Sequence, residues 1–478
     1  MALTRDGFEV QQSWPGLRTA QVQADSASLA RLRSDPNIRY VEADQTTSIE
    51  SVPAATTDQG PITWGLQSIH APAAWKLGST GQGIKVCVLD SGIDSTHPEF
   101  QGGVIKGSKN FVNDGQTDVS DGVGHGTHVA GIIAAHAVQS GVSGAAPGVQ
   151  LYIARVIGND GSGTTGELLS GVNWCVNTVH ARILNISSGS NRPSRTEQQV
   201  FNSVYNKGVL TFAASGNDGT NSISYPAGYS SVIAVGAVDS SLKLADFSDY
   251  GSKQELVAPG VHVLSTVPVG TGLRTDVTEN GTSYNTEGVE FSANGTVTGP
   301  LVDCGLADST TSCTGQPASG KWIAVITRGG IHFSEKVSNV MDQGASAAVI
   351  TNNDTKSPDD AGAFSLGTDD TWIPTVSVSY NTGVALRSAG LGTGSVTVSP
   401  WNYAYHDGTS MASPYAAAVA ALAWAAKPSL TNKQLRTVLD NSAQDLGTSG
   451  RDAKYGYGLV EADKAITRAR ATAVATHK

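Results

Sequence analysis

The sequence has few charged residues, few cysteines and no long apolar run, and each shortage excludes a class of protein. Only 15% of the 478 residues are charged, and the net charge is −10. This balance argues against nucleic-acid and anionic-membrane partners, because both bind basic surfaces. The longest apolar run, 415–426, is mostly alanine and is too short to cross a bilayer. The polar sequence that follows residues 1–3 is not typical of a signal peptide.

The four cysteines lack metal-ligand spacing and therefore predict no metal centre. Cys304 and Cys313 flank the polar loop CGLADSTTSC, where we expect a disulfide in preference to two exposed thiols. Cys87 and Cys175 lie in apolar stretches, where we expect small buried side chains. A disulfide favours an oxidising compartment, so we expect a secreted protein.

The N-terminal segment is polar and of mixed secondary structure. FEVQQSW and LRTAQVQ predict a strand pair, SASLARLRSDP a helix capped by Asp25 or Ser26, and IRYVEAD a further strand. Residues 46–58 show no periodicity and are rich in small polar residues, which predicts a linker or a cleavable junction.

From about Trp64 onward, apolar runs alternate with helix-like stretches. IKVCVLD, QLYIARV, RILNIS, VLTFAAS and SVIAVGAV predict an α/β fold with a parallel sheet covered by helices on both faces. The pattern stops near Val269, and a Thr-, Ser- and Gly-rich stretch with short strands predicts a small α+β insert. We expect four segments, which are 1–57, 58–269, 270–402 and 403–478.

Three short motifs carry candidate residues for a catalytic triad. VLDSGID places Asp90 at a strand end, GHGTHVAGIIAA places His125 at the start of a helix, and GTSMASP places Ser410 before an alanine-rich helix. A serine nucleophile needs a base, and the base needs an anion. A fourth motif, AASGNDG, places Asn217 where its amide can donate to an oxyanion.

Each residue also has a structural interpretation when taken alone. Ser410 can be a helix cap and Asp90 a turn cap, His125 or His128 can be a core or surface histidine, and Asn217 can be an ordinary turn residue. Their conjunction in one order favours catalysis.

These stretches resemble the Asp, His and Ser signatures of the subtilisin-like serine proteases, in the order of that family. The resemblance covers about 64–269 and 403–466, and it implies a subtilisin-like parallel sheet flanked by helices. It also implies that Asp90 orients His125, that His125 is the general acid and base, and that Ser410 attacks the scissile carbonyl. Asn217 and the backbone N–H of Ser410 would form the oxyanion hole. Tyr415 departs from the family, where many relatives carry histidine, and we expect a change of packing there with little effect on chemistry.

The resemblance also implies a substrate site and leaves one metal question open. Protein or peptide substrates would bind as an added strand along Ser188, Gly189 and Ser190. Ala214, Ser215, Gly216 and Ser224 would line a roomy pocket for large apolar side chains. The chemistry requires no cofactor. A structural Ca²⁺ at the loop HAVQSGVSG remains open, with Glu99 as its acid ligand and Val138 where a side-chain amide is common.

Two further segments resemble domains attached to such proteases. Residues up to Asp44 resemble the second half of an inhibitory prodomain, which would occupy the substrate cleft and be removed between 46 and 60. The insert resembles a protease-associated domain through the stretch GKWIAVITRGGIHFSEKVSNVMDQGASAAVITNN, although Ile331 replaces a cysteine often found there.

The function predicted is that of a secreted serine endopeptidase made as a self-processed zymogen, with no nucleic-acid or membrane partner. Two alternatives remain: a catalytically silent binding protein with the subtilase fold, and a non-proteolytic serine hydrolase such as an esterase.

Overall fold

The computed structural model describes residues 9–14, 19–49, 52–53, 62–138, 141–356, 358–359, 361–362, 364–367 and 371–473. The chain forms two compact units. The unit that carries Asp90, His125 and Ser410, which we call the catalytic unit after their predicted role, takes residues 1–51, 60–261 and 408–478. The other, the insert unit, takes 52–59 and 262–407.

The secondary structure is mixed along the whole chain. The strands are β1 Glu9–Trp14, β2 Thr19–Gln23, β3 Thr46–Ile49, β4 Val52–Pro53, β5 Lys85–Asp90, β6 Ile105–Asn110, β7 Gln150–Arg155, β8 Ser162–Thr164, β9 Ile183–Ile186, β10 Ser188–Gly189, β11 Leu210–Ala214, β12 Ile233–Val238, β13 Gln254–Pro259, β14 Val263–Thr266, β15 Gly272–Glu279, β16 Thr282–Tyr284, β17 Glu287–Gly288, β18 Gly295–Asp303, β19 Ile323–Thr327, β20 Ala347–Thr351, β21 Thr375–Val378, β22 Thr393–Trp401 and β23 Tyr403–Asp407. The helices are α1 Ser26–Ser34, α2 Trp64–Ser68, α3 Ala71–Lys76, α4 His125–Ala134, α5 Thr165–Trp174, α6 Arg195–Asn206, α7 Phe333–Asp342, α8 Tyr380–Ser388, α9 Thr409–Ala426, α10 Asn432–Ser442 and α11 Ala462–Ala471.

A seven-stranded parallel sheet forms the centre of the catalytic unit. Its order is β13-β12-β11-β9-β5-β7-β6, and every neighbouring pair is parallel. The five apolar runs singled out in the sequence are five of these strands, so the predicted parallel α/β sheet is confirmed. Because parallel strands end at one edge, Asp90 at the end of β5 and Ala214 at the end of β11 share an edge of the sheet.

Helix α9 runs against this sheet and is buried from Thr409 to Trp424. It contacts β9, β11, β12 and β13 as well as helix α4. Alanine dominates its sequence because the strands approach too closely for larger side chains. At Tyr415 the ring packs on Gly65, where a Cβ atom would lie only 2.7 Å from the ring carbon Cζ. The alanine-rich helix thus holds Ser410 at its second position against a rigid sheet.

The N-terminal segment differs from its prediction in one strand. β1 pairs with β2, and the Asp25 side chain caps α1, as predicted. Residues 38–44, predicted as a strand, are not in one, and the strand is β3 within the predicted linker. The prediction was wrong because the alternation of apolar and polar residues in IRYVEAD does not come from strand pairing. The carboxylates of Glu42 and Asp44 instead accept hydrogen bonds from backbone N–H groups at the starts of two helices.

Strand β3 is the middle strand of a small antiparallel sheet in the catalytic unit, of order β10-β3-β8. Ser48 and Ile49 pair with Gly189 and Ser188 on one side. On the other side 46–48 pair with β8. The remainder of the predicted linker beyond residue 53 lies outside the described residues.

The insert unit is α+β, as predicted. Its eight-stranded sheet has the order β16-β15-β22-β18-β19-β20-β21-β17, with α7 and α8 beside it. The Cys304–Cys313 disulfide is present, with a Cα–Cα distance of 4.1 Å, which confirms that prediction. Helix α7 holds this disulfide loop, since Asn339 donates to the carbonyl of Ala307.

The interpretation of Cys87 and Cys175 as unlinked buried side chains was wrong, because the two form a second disulfide. It joins β5 to the π-helical turn Cys175–Val179 that continues α5. Both residues are fully buried. Their 88-residue separation hid the pairing, since sequence alone does not show which distant apolar segments meet. No helix in the described part of the chain is long and apolar enough to span a membrane.

Candidate active site

Asp90 and His125 form a buried hydrogen-bonded pair. His125 Nδ1 lies 2.6 Å from Asp90 Oδ1, and the two side chains are 1% and 0% exposed. The same carboxylate oxygen accepts the backbone N–H of Ser91 at 2.8 Å. This arrangement fixes the imidazole tautomer with the proton on Nδ1, so Nε2 is the basic nitrogen. Nε2 has no hydrogen-bond partner among the described residues.

The start of helix α4 holds His125 in place. Asp121 caps it, with one carboxylate oxygen accepting from Gly124 N at 2.8 Å and the other from Thr127 N at 2.8 Å. Gly126 allows the helix to approach the turn after β5, because a Cβ there would lie 2.3 Å from the carbonyl oxygen of Gly92. The glycines of GHGTH thus permit the contact that brings His125 to Asp90.

Ser410 is fully buried in the first turn of helix α9. Its Oγ donates to the carbonyl oxygen of Ser187 at 2.7 Å, and Ser187 Oγ donates back to the carbonyl of Ser410 at 2.8 Å. Behind this pair, Asn185 Nδ2 donates to Ser187 Oγ, and Ser413 Oγ donates to Asn185 Oδ1. The nucleophile candidate therefore sits on a polar network that joins α9 to the end of β9.

Asn217 is oriented by the residue that precedes Ser410. Thr409 donates to Asn217 Oδ1 through both its backbone N–H, at 2.9 Å, and its hydroxyl, at 2.8 Å. With its oxygen held in this way, the amide NH₂ group of Asn217 is directed away from Thr409. The helix N-terminus at Ser410 adds a partial positive charge at the same place. These features suit the binding of an oxyanion.

A narrow pocket adjoins Ser410, and it has essentially no space for a water molecule. It is lined by Ser187, Ser188, Gly189, Ala214, Gly216, Ser224 and Ser410. Ser215, which was predicted to line this pocket, and Ser190, which was predicted to pair with a substrate strand, are not among its lining residues. Ser190 forms a backbone bridge with Tyr225, and the Ser215 hydroxyl donates to the carbonyl of Asp249. The pocket carries no charged side chain among its lining residues, and one buried hydroxyl, Ser188 Oγ, has no described partner.

The N-terminal segment contacts the residues around the candidate site through two carboxylates as well as through β3. Glu42 accepts hydrogen bonds from Ser194 Oγ at 2.7 Å and Thr196 N at 2.8 Å, at the start of α6. Asp44 accepts the backbone N–H of Gly166 at 2.9 Å, at the start of α5. Both acids thus lie at the positive ends of helices.

Burial and hydrogen bonding act in opposite directions on the acids at the start of α6. Burial raises the pKa of Glu42, but the bonds from Thr196 and Ser194 outweigh it and leave the pKa below its usual value. Burial raises the pKa of Glu197 to about 7, although the Tyr229 hydroxyl donates to it, and the charge of Glu42 adds to the rise. The two carboxylates therefore differ in ionisation near neutral pH.

The contacts of Glu99 and Val138 give no support for a calcium site at the described part of the loop 136–144. Glu99 is fully buried, and its Oε2 accepts the backbone N–H groups of His136 at 3.1 Å and Val138 at 2.9 Å. The carbonyl of Val138 accepts from Gly141 N at 2.9 Å. Two oxygens are fewer than the six to eight oxygen ligands that Ca²⁺ takes. No step of the chemistry below involves calcium.

The sequence analysis missed the residues whose hydrogen bonds hold the candidate catalytic residues in place. Ser187, Asn185, Ser413 and Asp121 are polar groups within otherwise apolar or glycine-rich motifs, and only the fold brings them together. For Thr409, the position next to Ser410 in the sequence was the one signal that could have pointed to its role.

Comparison with known proteins gives the family. Residues 81–289 match the model of the subtilase family, and residues 297–386 match that of the PA domain. An alkaline protease of Alkalihalobacillus alcalophilus is 42% identical over 289 residues, which are 60% of this chain and 70% of that protein. Subtilisin Savinase of Lederbergia lenta is 46% identical over 233 residues, 48% of this chain and 82% of that protein. The crystal structure of the psychrophilic subtilisin-like protease Apa1 from Pseudoalteromonas sp. AS-11 superposes with a TM-score of 0.65 at 33% identity, over 84% of this chain and 96% of that one. The chain therefore belongs to the subtilase family and carries a PA domain.

Proposed function

We propose that this protein is a serine endopeptidase in which Ser410, His125 and Asp90 form the catalytic triad. The observation that carries the proposal is the buried 2.6 Å contact between Asp90 and His125, with His125 Nε2 left without a hydrogen-bond partner among the described residues. The subtilase family and its protease relatives support the same conclusion.

The first chemical step is acylation of Ser410. Its hydroxyl leaves the Ser187 carbonyl, turns to His125 Nε2 and gives up its proton as Oγ attacks the peptide carbonyl carbon. The carboxylate of Asp90 stabilises the imidazolium that forms. His125 then donates this proton to the leaving amine, and water deacylates the serine by the reverse transfers.

The tetrahedral oxyanion is bound by Asn217 and by the N-terminus of α9. The Asn217 amide NH₂ and the backbone N–H of Ser410 are the two donors, and the partial charge of the helix end adds to their effect. Because Thr409 anchors the Asn217 oxygen, the donors are oriented before the substrate arrives.

The substrate is proposed to be an extended peptide that pairs with Ser188 and Gly189. Support comes from β3, which pairs with these residues in the way a substrate strand would. The small, uncharged lining of the adjoining pocket favours a broad preference for large apolar side chains before the scissile bond.

The N-terminal segment is proposed to be an inhibitory prodomain, and the protein a self-processed zymogen. Its middle strand β3 lies between β10 and β8, which supports a role as occupant of the substrate cleft. The Glu42 and Asp44 bonds to α6 and α5 support tight binding of the segment to the catalytic unit. Two disulfides support a secreted protein.

The test is an intact-mass time course of the purified protein beside Ser410→Ala. The proposal predicts that the parent loses roughly its first fifty residues and that the variant remains full length. Labelling by a fluorophosphonate probe should require Ser410. If the parent stays full length and resists the probe, the chain is a catalytically silent binding protein. Faster hydrolysis of a short acyl ester than of casein would instead favour an esterase.

A further inference from the structure

A buried aspartate outside the triad, Asp249, lies beneath the turn that carries Asn217. Asp249 is fully buried and follows β12 in a separate loop. Its carboxylate oxygen Oδ2 has no hydrogen-bond partner among the described residues. An unpaired carboxylate oxygen in the protein interior is costly, so its presence calls for an explanation.

Asp249 holds the Asn217 turn on both sides. Before Asn217, the backbone N–H of Asp249 donates to the carbonyl of Gly216 at 2.9 Å, and its carbonyl accepts the Ser215 hydroxyl at 3.0 Å. After Asn217, Asp249 Oδ1 accepts both the backbone N–H of Thr220, at 2.7 Å, and its hydroxyl, at 3.0 Å. One residue thus fixes the two ends of the turn 215–220.

The carboxylate also lies directly against Gly216, the residue before Asn217. A Cβ atom on Gly216 would meet Asp249 Oδ2 at 2.1 Å and Ser224 Oγ at 2.6 Å. Gly216 has φ +114°, a conformation that other residues rarely adopt. The glycine therefore serves both the turn and the close approach of the carboxylate.

Asn217 is consequently fixed from two directions. Thr409 anchors the side-chain oxygen, and Asp249 fixes the backbone from which the side chain projects. Burial raises the pKa of the Asp249 carboxyl despite the two Thr220 bonds, and the negative charge of Asp218 acts in the same direction as burial. Oδ1 can accept from Thr220 whether or not the carboxyl is ionised, so the clamp does not depend on the charge.

We propose that Asp249 is a positioning residue for the oxyanion hole, which acts by clamping the turn 215–220 around Asn217. This inference rests on the proposed function. Asp249 would act on the step in which the oxyanion forms and would have little influence on substrate binding. Its replacement should therefore change kcat rather than KM.

The experiment compares Asp249→Ala, Asp249→Asn and the matched control Asp246→Ala, each with and without Asn217→Ala. Asp246 is an exposed carboxylate on the same loop. Turnover of a chromogenic peptide is normalised to active sites counted with a fluorophosphonate, and thermal unfolding checks that each variant is folded.

We expect Asp249→Ala to lower kcat about 10- to 100-fold with KM within roughly twofold, since a misplacement of about 1 Å can cost 10²-fold. Asp249→Asn should restore kcat to within about threefold because its amide oxygen still accepts from Thr220. With Asn217 already replaced by alanine, Asp249→Ala should change kcat less than about twofold, because coupled residues are not additive. Asp246→Ala should match the parent.

Three outcomes overturn the inference: an unchanged kcat in Asp249→Ala, an effect confined to KM, and an equal loss with or without Asn217. If Asp249→Ala does not fold, Thr220→Val replaces it in the cycle, since it removes one bond of the clamp and keeps the backbone N–H. Parent-like kcat in Thr220→Val would then overturn the inference. A parent that neither turns over peptide nor takes the probe refutes the proposed function, whereas an active parent with an equally active Asp249→Ala refutes only the role of Asp249.

Discussion

If the N-terminal segment is cleaved as proposed, the contacts of Glu42 predict how tightly it stays bound. The Glu42 carboxylate accepts from Ser194 Oγ, Thr196 N and Arg195 N, at 2.7, 2.8 and 3.1 Å. A helix-capping bond contributes about 1 kcal/mol, and a charge at a helix N-terminus adds roughly 0.3–1 kcal/mol. Because Glu42 is largely exposed, we do not count the third bond, from Arg195 N. We take about 2 kcal/mol as the total contribution of Glu42 to binding of the segment. We therefore expect Glu42→Ala to speed dissociation of the cleaved segment about 30-fold.

The assay follows the release of activity after processing. The protein is left until mass spectrometry shows complete cleavage, then diluted into a fluorogenic peptide, and the rate constant for the rise of activity is measured. Glu9→Ala is the matched control, since Glu9 is an exposed acid on β1 of the same segment. A Glu42→Ala rate constant equal to that of the parent would refute the reasoning, as would an equal acceleration by Glu9→Ala, because either result means that the caps at α6 do not retain the segment.

Three further predictions concern stability, pH and catalysis. Replacing Cys87 and Cys175 together by alanine should lower the free energy of unfolding by about 4–5 kcal/mol, because the disulfide closes a loop of 88 residues. Urea unfolding of the inactive serine variant, with and without this disulfide, measures the difference. Burial, with the nearby charge of Glu255, raises the pKa of Asp440 to about 8, so the native state retains a proton that the unfolded chain loses near pH 4. Stability should therefore fall as pH rises from about 4 to about 8, by at most roughly 5–6 kcal/mol at about 1.4 kcal/mol per pH unit, and Asp440→Asn should flatten this dependence in urea titrations. Asn217→Ala should lower kcat about 10²–10³-fold with little change in KM, which is the loss that subtilisin itself shows when its oxyanion-hole asparagine is replaced.

Each of these predictions has a matched control. Removing Cys304 and Cys313 should cost only about 2–3 kcal/mol because that loop spans nine residues, and equal losses from both pairs would contradict the loop argument. Asp445→Asn, in the loop that follows α10, should leave the pH dependence unchanged. Parallel pH curves for the parent and Asp440→Asn would show that this carboxyl is not responsible. Asn221→Ala should retain the parent kcat.

The sequence predicted the parts of the molecule that have a local signal. The strands of the central sheet are continuous Val, Ile and Leu runs, and Asp25 precedes a helix with the residue type that caps prefer. The motifs around Asp90, His125 and Ser410 were similarly visible, because each is a rare arrangement of glycine and polar residues.

The sequence did not predict features that depend on two distant segments. The Cys87–Cys175 disulfide needs β5 and the end of α5 to meet, and the caps supplied by Glu42 need a helix whose N-cap Ser194 lies 152 residues later. Strand β3 was missed because threonine and serine in TTSI look like a linker when the partner strands β8 and β10 are unknown. Asp249 gave no signal, since one aspartate in a serine-rich turn is ordinary until its burial is known.

The middle position of β3 has a consequence for which proteins can be cut. If a substrate takes the place of β3, it must present four consecutive residues as a straight strand with both backbone edges free, a length of about 14 Å. Helices and paired strands cannot meet this demand while they remain folded. Susceptibility would then be governed by how readily a target opens such a stretch, so termini and loose loops of stable proteins would be cut long before their cores. A proline within the four residues would remove one of the required N–H donors and protect the stretch that contains it.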